Sequence, residues 1–340
     1  MFFVLSGFLI TSLLVEEWQR RGTISFRHFY LRRALRLMPA FFAVLFGCYL
    51  ATVLFRPQDE AVFRREMVVA ACYVANWPAL HQTGLPTLGH TWSLSLEEQF
   101  YLLWPCCLYG MLRSNLGRRA TLLLLCAGIL GSATLRAVLY VGHGSTDAEK
   151  LTRIMRLYCG LDTRADALLV GCLVALLAVW GLLPASRRFR IATGAASLAC
   201  VALLAQTALN SHFFHAQYYY GRYTLTAVLI AALLVRLLLG PLWLATPVLE
   251  SSALVSVGRI SYAVYLVHVP IMVWLRPAGL GWDYPAETVL VASLTFGAAA
   301  LSYYAVECPF LRLKHRFRVT NAASSDTGGG EGTVPPRAAA

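Results

Sequence analysis

Arg32-Arg33-Ala34-Leu35-Arg36 runs straight into Leu37-Met38-Pro39-Ala40-Phe41-Phe42-Ala43-Val44-Leu45-Phe46, and no charged residue follows until Arg56. A helix that crosses lipid needs about 20 mainly apolar residues, so 34–55 reads as a membrane helix. Arginine collects on cytoplasmic flanks, so that helix leaves from the cytoplasm. Further apolar runs lie at 2–15, 66–80, 97–112, 120–141, 163–183, 191–209, 222–239, 260–277 and 287–306. Lipid offers no hydrogen-bond partner to an open backbone, so each run must be helical. The fold class that follows is all-α: a polytopic transmembrane helical bundle of about nine or ten membrane helices.

Composition agrees. Hydrophobic residues make up 58% of the 340 and charged residues 14%, against about 45–50% and about 25% in soluble chains. Soluble enzymes, secreted disulfide scaffolds and disordered hubs are excluded on this ground. The net charge of +12 comes from short clusters between apolar runs rather than one basic patch, so no nucleic-acid partner is expected. The nine cysteines show no metal-ligand spacing and sit mostly in apolar runs. They read as small buried hydrophobes, and no metal site is expected.

Charge then orders the crossings. The clusters Arg20 to Arg36, Arg113/Arg118/Arg119, Arg187/Arg188/Arg190 and Arg312/Lys314/Arg316/Arg318 all belong on the cytoplasmic side. That is consistent only if 66–80 does not cross, which leaves nine crossings, the first residue outside and the C-terminus in the cytoplasm. Residues 1–318 form one membrane domain, and 319–340, poor in apolar residues, reads as a disordered tail.

Ionisable groups near a membrane core are costly and therefore candidates for function. Ser95-Leu96-Glu97-Glu98 fits a capping box, with Ser95 as N-cap and Glu98 answering orphan N–H groups at a helix start. Glu97 then points about 100° away, on the face it shares with Tyr101. Two roles are open to it, general base or structural pairing. Arg32 and Arg36 share a helical face at i, i+4 spacing and suit either phosphate oxygens or lipid headgroups. In Asp162-Thr163-Arg164-Ala165-Asp166, Arg164 is placed to neutralise both carboxylates. His268 lies near the bilayer midplane, as a core histidine or a catalytic one. Glu307 is expected to pair with a cytoplasmic arginine. No P-loop, zincin motif or serine-hydrolase elbow occurs.

Taken together, several stretches resemble the membrane-bound acyltransferase-3 family, bacterial O-acyltransferases that modify surface sugars. They are Phe2-Phe3-Val4-Leu5-Ser6-Gly7-Phe8-Leu9-Ile10-Thr11, the Arg32-Arg33-x-x-Arg36-x-x-Pro39 set, and His90-Thr91-Trp92-Ser93-Leu94-Ser95-Leu96-Glu97-Glu98-Gln99-Phe100-Tyr101. Asp162-Thr163-Arg164-Ala165-Asp166-Ala167-Leu168, Ser261-Tyr262 through His268-Val269-Pro270, and Glu307-x-Pro309-Phe310 complete the series in family order. The resemblance implies a bacterial inner-membrane enzyme that moves an acyl group, acetyl foremost, from acyl-CoA to a carbohydrate hydroxyl. Acyl-CoA would be a co-substrate, with no bound cofactor.

By the same resemblance Arg32, Arg33 and Arg36 contact the donor, and Glu97 is the leading acid/base group. Glu98 and His268 complete the catalytic candidates. His90, Trp92, Asp162, Arg164, Asp166 and Tyr265 are the acceptor-binding candidates. The family opens with a helix that carries an arginine and a histidine, and this chain starts inside the family's second helix. The expectation is therefore an N-terminally truncated chain that inserts but does not transfer. Two other readings stay open: an inactive remnant, and a transporter or flippase for a lipid-linked sugar, coupled through Glu97, the Asp162–Asp166 group and His268.

Overall fold

The computed structural model describes residues 2–77, 85–141, 147–184, 186–209, 216–240, 245–275 and 284–316. The expected tail at 319–340 lies outside them. Among the described residues every regular element is helical. In chain order these are α1 (Phe2–Arg21), α2 (Phe26–Phe55), α3 (Glu60–Ala71), α4 (Trp92–Arg113), α5 (Arg118–Val141), α6 (Asp147–Cys159) and α7 (Leu161–Val179). They continue with α8 (Arg187–Leu209), α9 (Tyr223–Leu238), α10 (Ala245–Leu249), α11 (Ser252–Leu275), α12 (Tyr284–Ser302) and α13 (Cys308–Arg316).

Among the described residues seven segments are long and apolar enough to cross a membrane: Phe2–Arg21, Phe26–Phe55, Arg118–Val141, Arg187–Thr207, Tyr218–Leu238, Ser252–Leu275 and Ala286–Leu313. The chain is thus a multi-pass membrane protein. The sequence expectation was nine crossings. The two extra ones correspond to α4 and α7, whose 22 and 19 residues reach about 33 and 28 Å at about 1.5 Å per residue. Each carries ionisable residues in its first turns: Glu97 and Glu98 in α4, and Asp162, Arg164 and Asp166 in α7. Helix α3 has only 12 residues, or about 18 Å, too short for a hydrocarbon core of about 30 Å. Of the run at 66–80, the part after Ala71 that is described is a turn.

Among the described residues two large apolar cores form, beside a small cluster of Leu157, Tyr218 and Tyr219. One joins α1, α4, α5, α7 and α9 through residues such as Val4, Leu14, Trp104, Leu168 and Ile230. The other joins α2, α3, α11 and α12 through Phe41, Phe63, Leu266 and Ala299. Large apolar side chains such as Leu123, Leu198 and Leu301 stand exposed on the outer faces, where lipid rather than protein covers them.

The tightest helix pair is α1 against α7. A β-carbon at Gly7 would sit 2.0 Å from the Leu168 carbonyl oxygen, and one at Gly171 would sit 2.0 Å from the Val4 carbonyl oxygen. Lipid provides no hydrophobic drive between helices, so close backbone packing at small residues holds them together. Beside this contact, Arg136 of α5 is completely buried. Its Nη1 donates to the Thr163 carbonyl (2.6 Å) and to Asp166 Oδ2 (2.9 Å), Nη2 to Thr224 Oγ1 (2.6 Å) and Nε to the Tyr219 carbonyl (3.3 Å). One guanidinium, with all three of its nitrogens hydrogen-bonded, thereby ties α5, α7 and α9 together.

Gly171→Ala is expected to lower stability by about 1–3 kcal/mol, the usual cost of overpacking. Gly47→Ala, with nothing within 4 Å of the added carbon, should be neutral or stabilising by up to about 1 kcal/mol. Thermal unfolding of both variants in one detergent checks this. Equal midpoints for the two would remove the backbone contact from the account.

Candidate active site

Between the two cores lies a cavity of about 960 Å³. Phe3 and Ser6 of α1, Arg33 and Arg36 of α2, Trp92, Glu97 and Tyr101 of α4, Arg164 of α7 and Tyr262 and Tyr265 of α11 all line it, with Glu307 in the widened turn Tyr303–Glu307 that joins α12 to α13. Among the described residues, four acidic or basic side chains have buried polar atoms without a hydrogen-bond partner: Arg33 at Nε, His90 at Nδ1, Arg164 at Nε and Nη1, and Glu307 at Oε1. All four line this one cavity. Buried polar groups are nearly always satisfied, so this concentration marks the cavity as a place built for a ligand.

Helix α4 supplies the carboxylates, and it corrects the capping box. A short turn at Gly89–Thr91 leads into the helix, which starts at Trp92 with Thr91 as N-cap. Ser95 therefore sits one turn inside, its hydroxyl donating to the Thr91 carbonyl (3.1 Å) and accepting from the Ala75 N–H (3.2 Å). Glu98 caps nothing; its Oε1 lies 4.0 Å from Arg33 Nε. The reading of Glu97 fares better. It shares a face with Tyr101, whose hydroxyl donates to Glu97 Oε2 (3.0 Å).

The three arginines separate. Arg33 lies 3.6 Å over the Tyr101 ring, and Arg36, one turn on, also lines the cavity. Arg32 is turned away and pairs with Glu17 at 3.5 Å. The cavity-facing pair is thus spaced i, i+3, not the i, i+4 pair expected from sequence. Arg36 is the cation that acts on Glu307, but no hydrogen bond reaches Glu307 Oε1.

At the start of α4, His90 Nε2 lies 3.2 Å from the Leu266 carbonyl. A carbonyl only accepts, so Nε2 carries the hydrogen and Nδ1 is left as a free acceptor. His90 lies in the turn ahead of the helix, and burial, helped by the neighbouring His268, lowers its pKa to about 4. His268 stands behind it, rings 5.2 Å apart, with Nδ1 held by the Tyr265 carbonyl at 2.6 Å. It is His90, not His268, that lines the cavity. Tyr265 fixes the turn: its hydroxyl donates to the His90 carbonyl and meets Ser93 Oγ at 2.6 Å.

The Asp162–Asp166 group also needs correction, because Arg164 neutralises neither carboxylate. Asp162 receives Arg156 Nη1 and Nη2 at 2.9 and 2.7 Å, and Asp166 belongs to Arg136. Arg164 points into the cavity instead, 3.9 Å from the Tyr223 ring centre. Neither aspartate lines the cavity. Trp92 does, with its ring 4.6 Å from that of Tyr158.

Sequence reading missed Tyr158, Arg259, Tyr262 and Tyr303 as cavity residues, and Arg136 as the structural anchor. Arg136 carried a signal, being the lone charge in the middle of the run 120–141. The tyrosines carried none, since a tyrosine in an apolar run is ordinary.

The family described as an acyltransferase domain matches residues 1–307. A peptidoglycan O-acetyltransferase, OatA, of Listeria monocytogenes is 31% identical over 325 residues, covering 91% of this chain and 50% of its own. The O-acetyltransferase OatA of Staphylococcus aureus is 29% identical over 321 residues, covering 91% and 51%. A putative peptidoglycan O-acetyltransferase of Bacillus subtilis, YrhL, is 31% identical over 329 residues, covering 91% and 49%. The chain spans about half the length of these relatives. No solved structure matches it.

The His90 geometry has a pH consequence. A free histidine titrates near 6.5, while His90 in the fold titrates near 4. Between those values the unfolded chain holds a proton that the folded one does not, so stability falls as pH drops from about 6.5 to about 4. At pH 5 the loss is about 2 kcal/mol. His90→Gln should lose less stability than the wild type between pH 7 and pH 5. Equal acid sensitivity in thermal unfolding would show that His90 is not buried neutral.

Proposed function

The chain belongs to the acyltransferase-3 family, and from that premise we propose that it transfers an acetyl group to a carbohydrate hydroxyl of a peptidoglycan-type glycan. The observation that carries the reading is that charged side chains with polar atoms free of hydrogen bonds line the same cavity as Glu97 and Tyr101. In this proposal acyl-CoA is the donor and enters from the cytoplasmic side, where Arg36 and Arg259 offer charge to its phosphates. The protein sits in a bacterial inner membrane with its C-terminus in the cytoplasm.

The chemistry assigned to the residues is acyl transfer with a general base. The acceptor hydroxyl gives its proton to Glu97, and its oxygen attacks the thioester carbonyl carbon. Negative charge builds on the carbonyl oxygen, where the Nε of Arg33, which makes no hydrogen bond in the fold, supplies a donor. The C–S bond then breaks, and the departing CoA thiolate takes the proton from Glu97. Tyr101 positions the carboxylate through its 3.0 Å bond, and Arg33 stacked on Tyr101 holds the third member of the set. His90 Nδ1 offers a further acceptor for the incoming hydroxyl. The transporter reading loses its path, because Asp162 and Asp166 are committed to Arg156 and Arg136 and stand outside the cavity.

The test is the protein in nanodiscs with labelled acetyl-CoA and peptidoglycan fragments. Acetyl transfer without a membrane gradient is the expected result of this proposal. Insertion without transfer would return the chain to the truncated, inactive state expected from its sequence, and gradient-driven movement of a lipid-linked sugar without transfer would replace the proposal by the transporter reading. Glu97→Gln should lower kcat about 10²–10⁴-fold, the usual worth of a general base. Tyr101→Phe should lower it about 10–100-fold through loss of a charge-assisted bond. The KM for acetyl-CoA should hold in both. Full activity in Glu97→Gln would remove the base assignment.

A further inference from the structure

Arg164 presents a problem that the transfer chemistry leaves unanswered. It lies three residues into α7 and lines the cavity beside Phe3, at the start of α1. Its guanidinium is stacked 3.9 Å from the Tyr223 ring centre, with Tyr158 at 5.7 Å and Phe3 at 5.9 Å. Stacking satisfies the faces of a guanidinium but not the N–H groups that point outward in its plane. Nε and Nη1 are both buried without a partner, and arginine does not escape by giving up its proton.

Two carboxylates lie two residues away on the same helix, and the fold withholds both. Asp162 is held by both terminal nitrogens of Arg156, and Asp166 by Arg136 and the Thr224 hydroxyl. A buried cation whose neighbouring carboxylates in the chain are held by other arginines is stable only where something else brings a counter-charge. Trp92 and Tyr158, rings 4.6 Å apart, wall the same cavity and offer flat faces to a sugar ring.

We infer that Arg164 reads a negative charge on the acceptor: the preferred saccharide carries a carboxylate that pairs with this guanidinium while its ring lies against Trp92 and Tyr158. The inference rests on the glycan reading above and narrows it. A planar carboxylate suits the arginine fork, and Arg164 is a specificity-determining residue rather than part of the base machinery.

The test is equilibrium binding by titration calorimetry, with the protein in nanodiscs and no donor present. Two probes are compared: the peptidoglycan disaccharide with its lactyl carboxylate free, and the same disaccharide as its methyl ester. Wild type should bind the acid about 10–100-fold more tightly than the ester, the worth of a charge-assisted hydrogen bond. Arg164→Gln should erase that preference while leaving acetyl-CoA affinity unchanged, and Arg164→Lys should keep part of it. Equal binding of acid and ester by wild type, or binding of neither, overturns the inference, as does a selective loss of acetyl-CoA affinity in Arg164→Gln. The wild-type comparison decides even if a variant fails to fold. An acid preference without any acetyl transfer would sink the transferase reading and leave this one standing.

Discussion

Where Gly7 meets Gly171 two helix backbones touch, and the geometry of the cavity follows from that contact. Any side chain at either position would drive into a carbonyl oxygen of the other helix. With the backbones this close, the starts of α1 and α7 lie together, which brings Phe3 to within 5.9 Å of the Arg164 guanidinium. Helix α4 is tied to the same unit where Trp104 Nε1 donates to Thr11 Oγ1 at 2.8 Å. Glu97 lies about two turns away from that bond along α4. The carboxylate and the arginine that face the cavity are therefore held by one rigid three-helix unit, the arrangement that a precise site needs.

Charge is then divided between two uses. Arg136, Asp166, Arg156 and Asp162 are spent on each other, at separations of 2.7–2.9 Å, and they fasten helices. Arg33, His90, Arg164 and Glu307 are left with open polar atoms in the cavity. An unsatisfied buried group costs about 1–3 kcal/mol, more if charged, so this pattern would not persist in a cavity without a use. The same rule explains why α7, which carries Arg164, packs against α1, α5 and α9 rather than facing lipid.

How much of this could be read from the chain depends on how far apart the interacting residues are. Helical class and spans were legible because each depends only on a local run of apolar residues. So was the Glu97–Tyr101 face, since i, i+4 neighbours meet on any helix. The capping box failed because Ser95-x-x-Glu98 is a local pattern, and the Gly89–Thr91 turn had already started the helix one turn earlier. The role of Arg164 failed for a different reason. Its neighbours Asp162 and Asp166 are captured by Arg156 and Arg136, six and 30 residues away, and no spacing rule sees a partner on another helix. The split of Arg32 from Arg33 and Arg36 likewise rests on Glu17, which lies on α1.

The short helix α3 explains how a stretch that is not helical survives beside the site. Lipid cannot satisfy open backbone groups, so irregular chain at membrane depth must be answered by protein. Glu66 does this for the segment before α4: its Oε2 accepts the N–H of Thr87 at 2.9 Å and of Leu88 at 2.6 Å. Gln99 Nε2 donates to the Tyr73 carbonyl at 2.9 Å and to Asn76 Oδ1 at 2.8 Å, fixing the other limb of the turn to α4. Burial raises the Glu66 carboxyl pKa while its two N–H bonds oppose that rise. The position of His90, two residues beyond Leu88, is thus set by a helix too short to cross. A segment that looked like a failed span in sequence is the brace that aims a cavity residue.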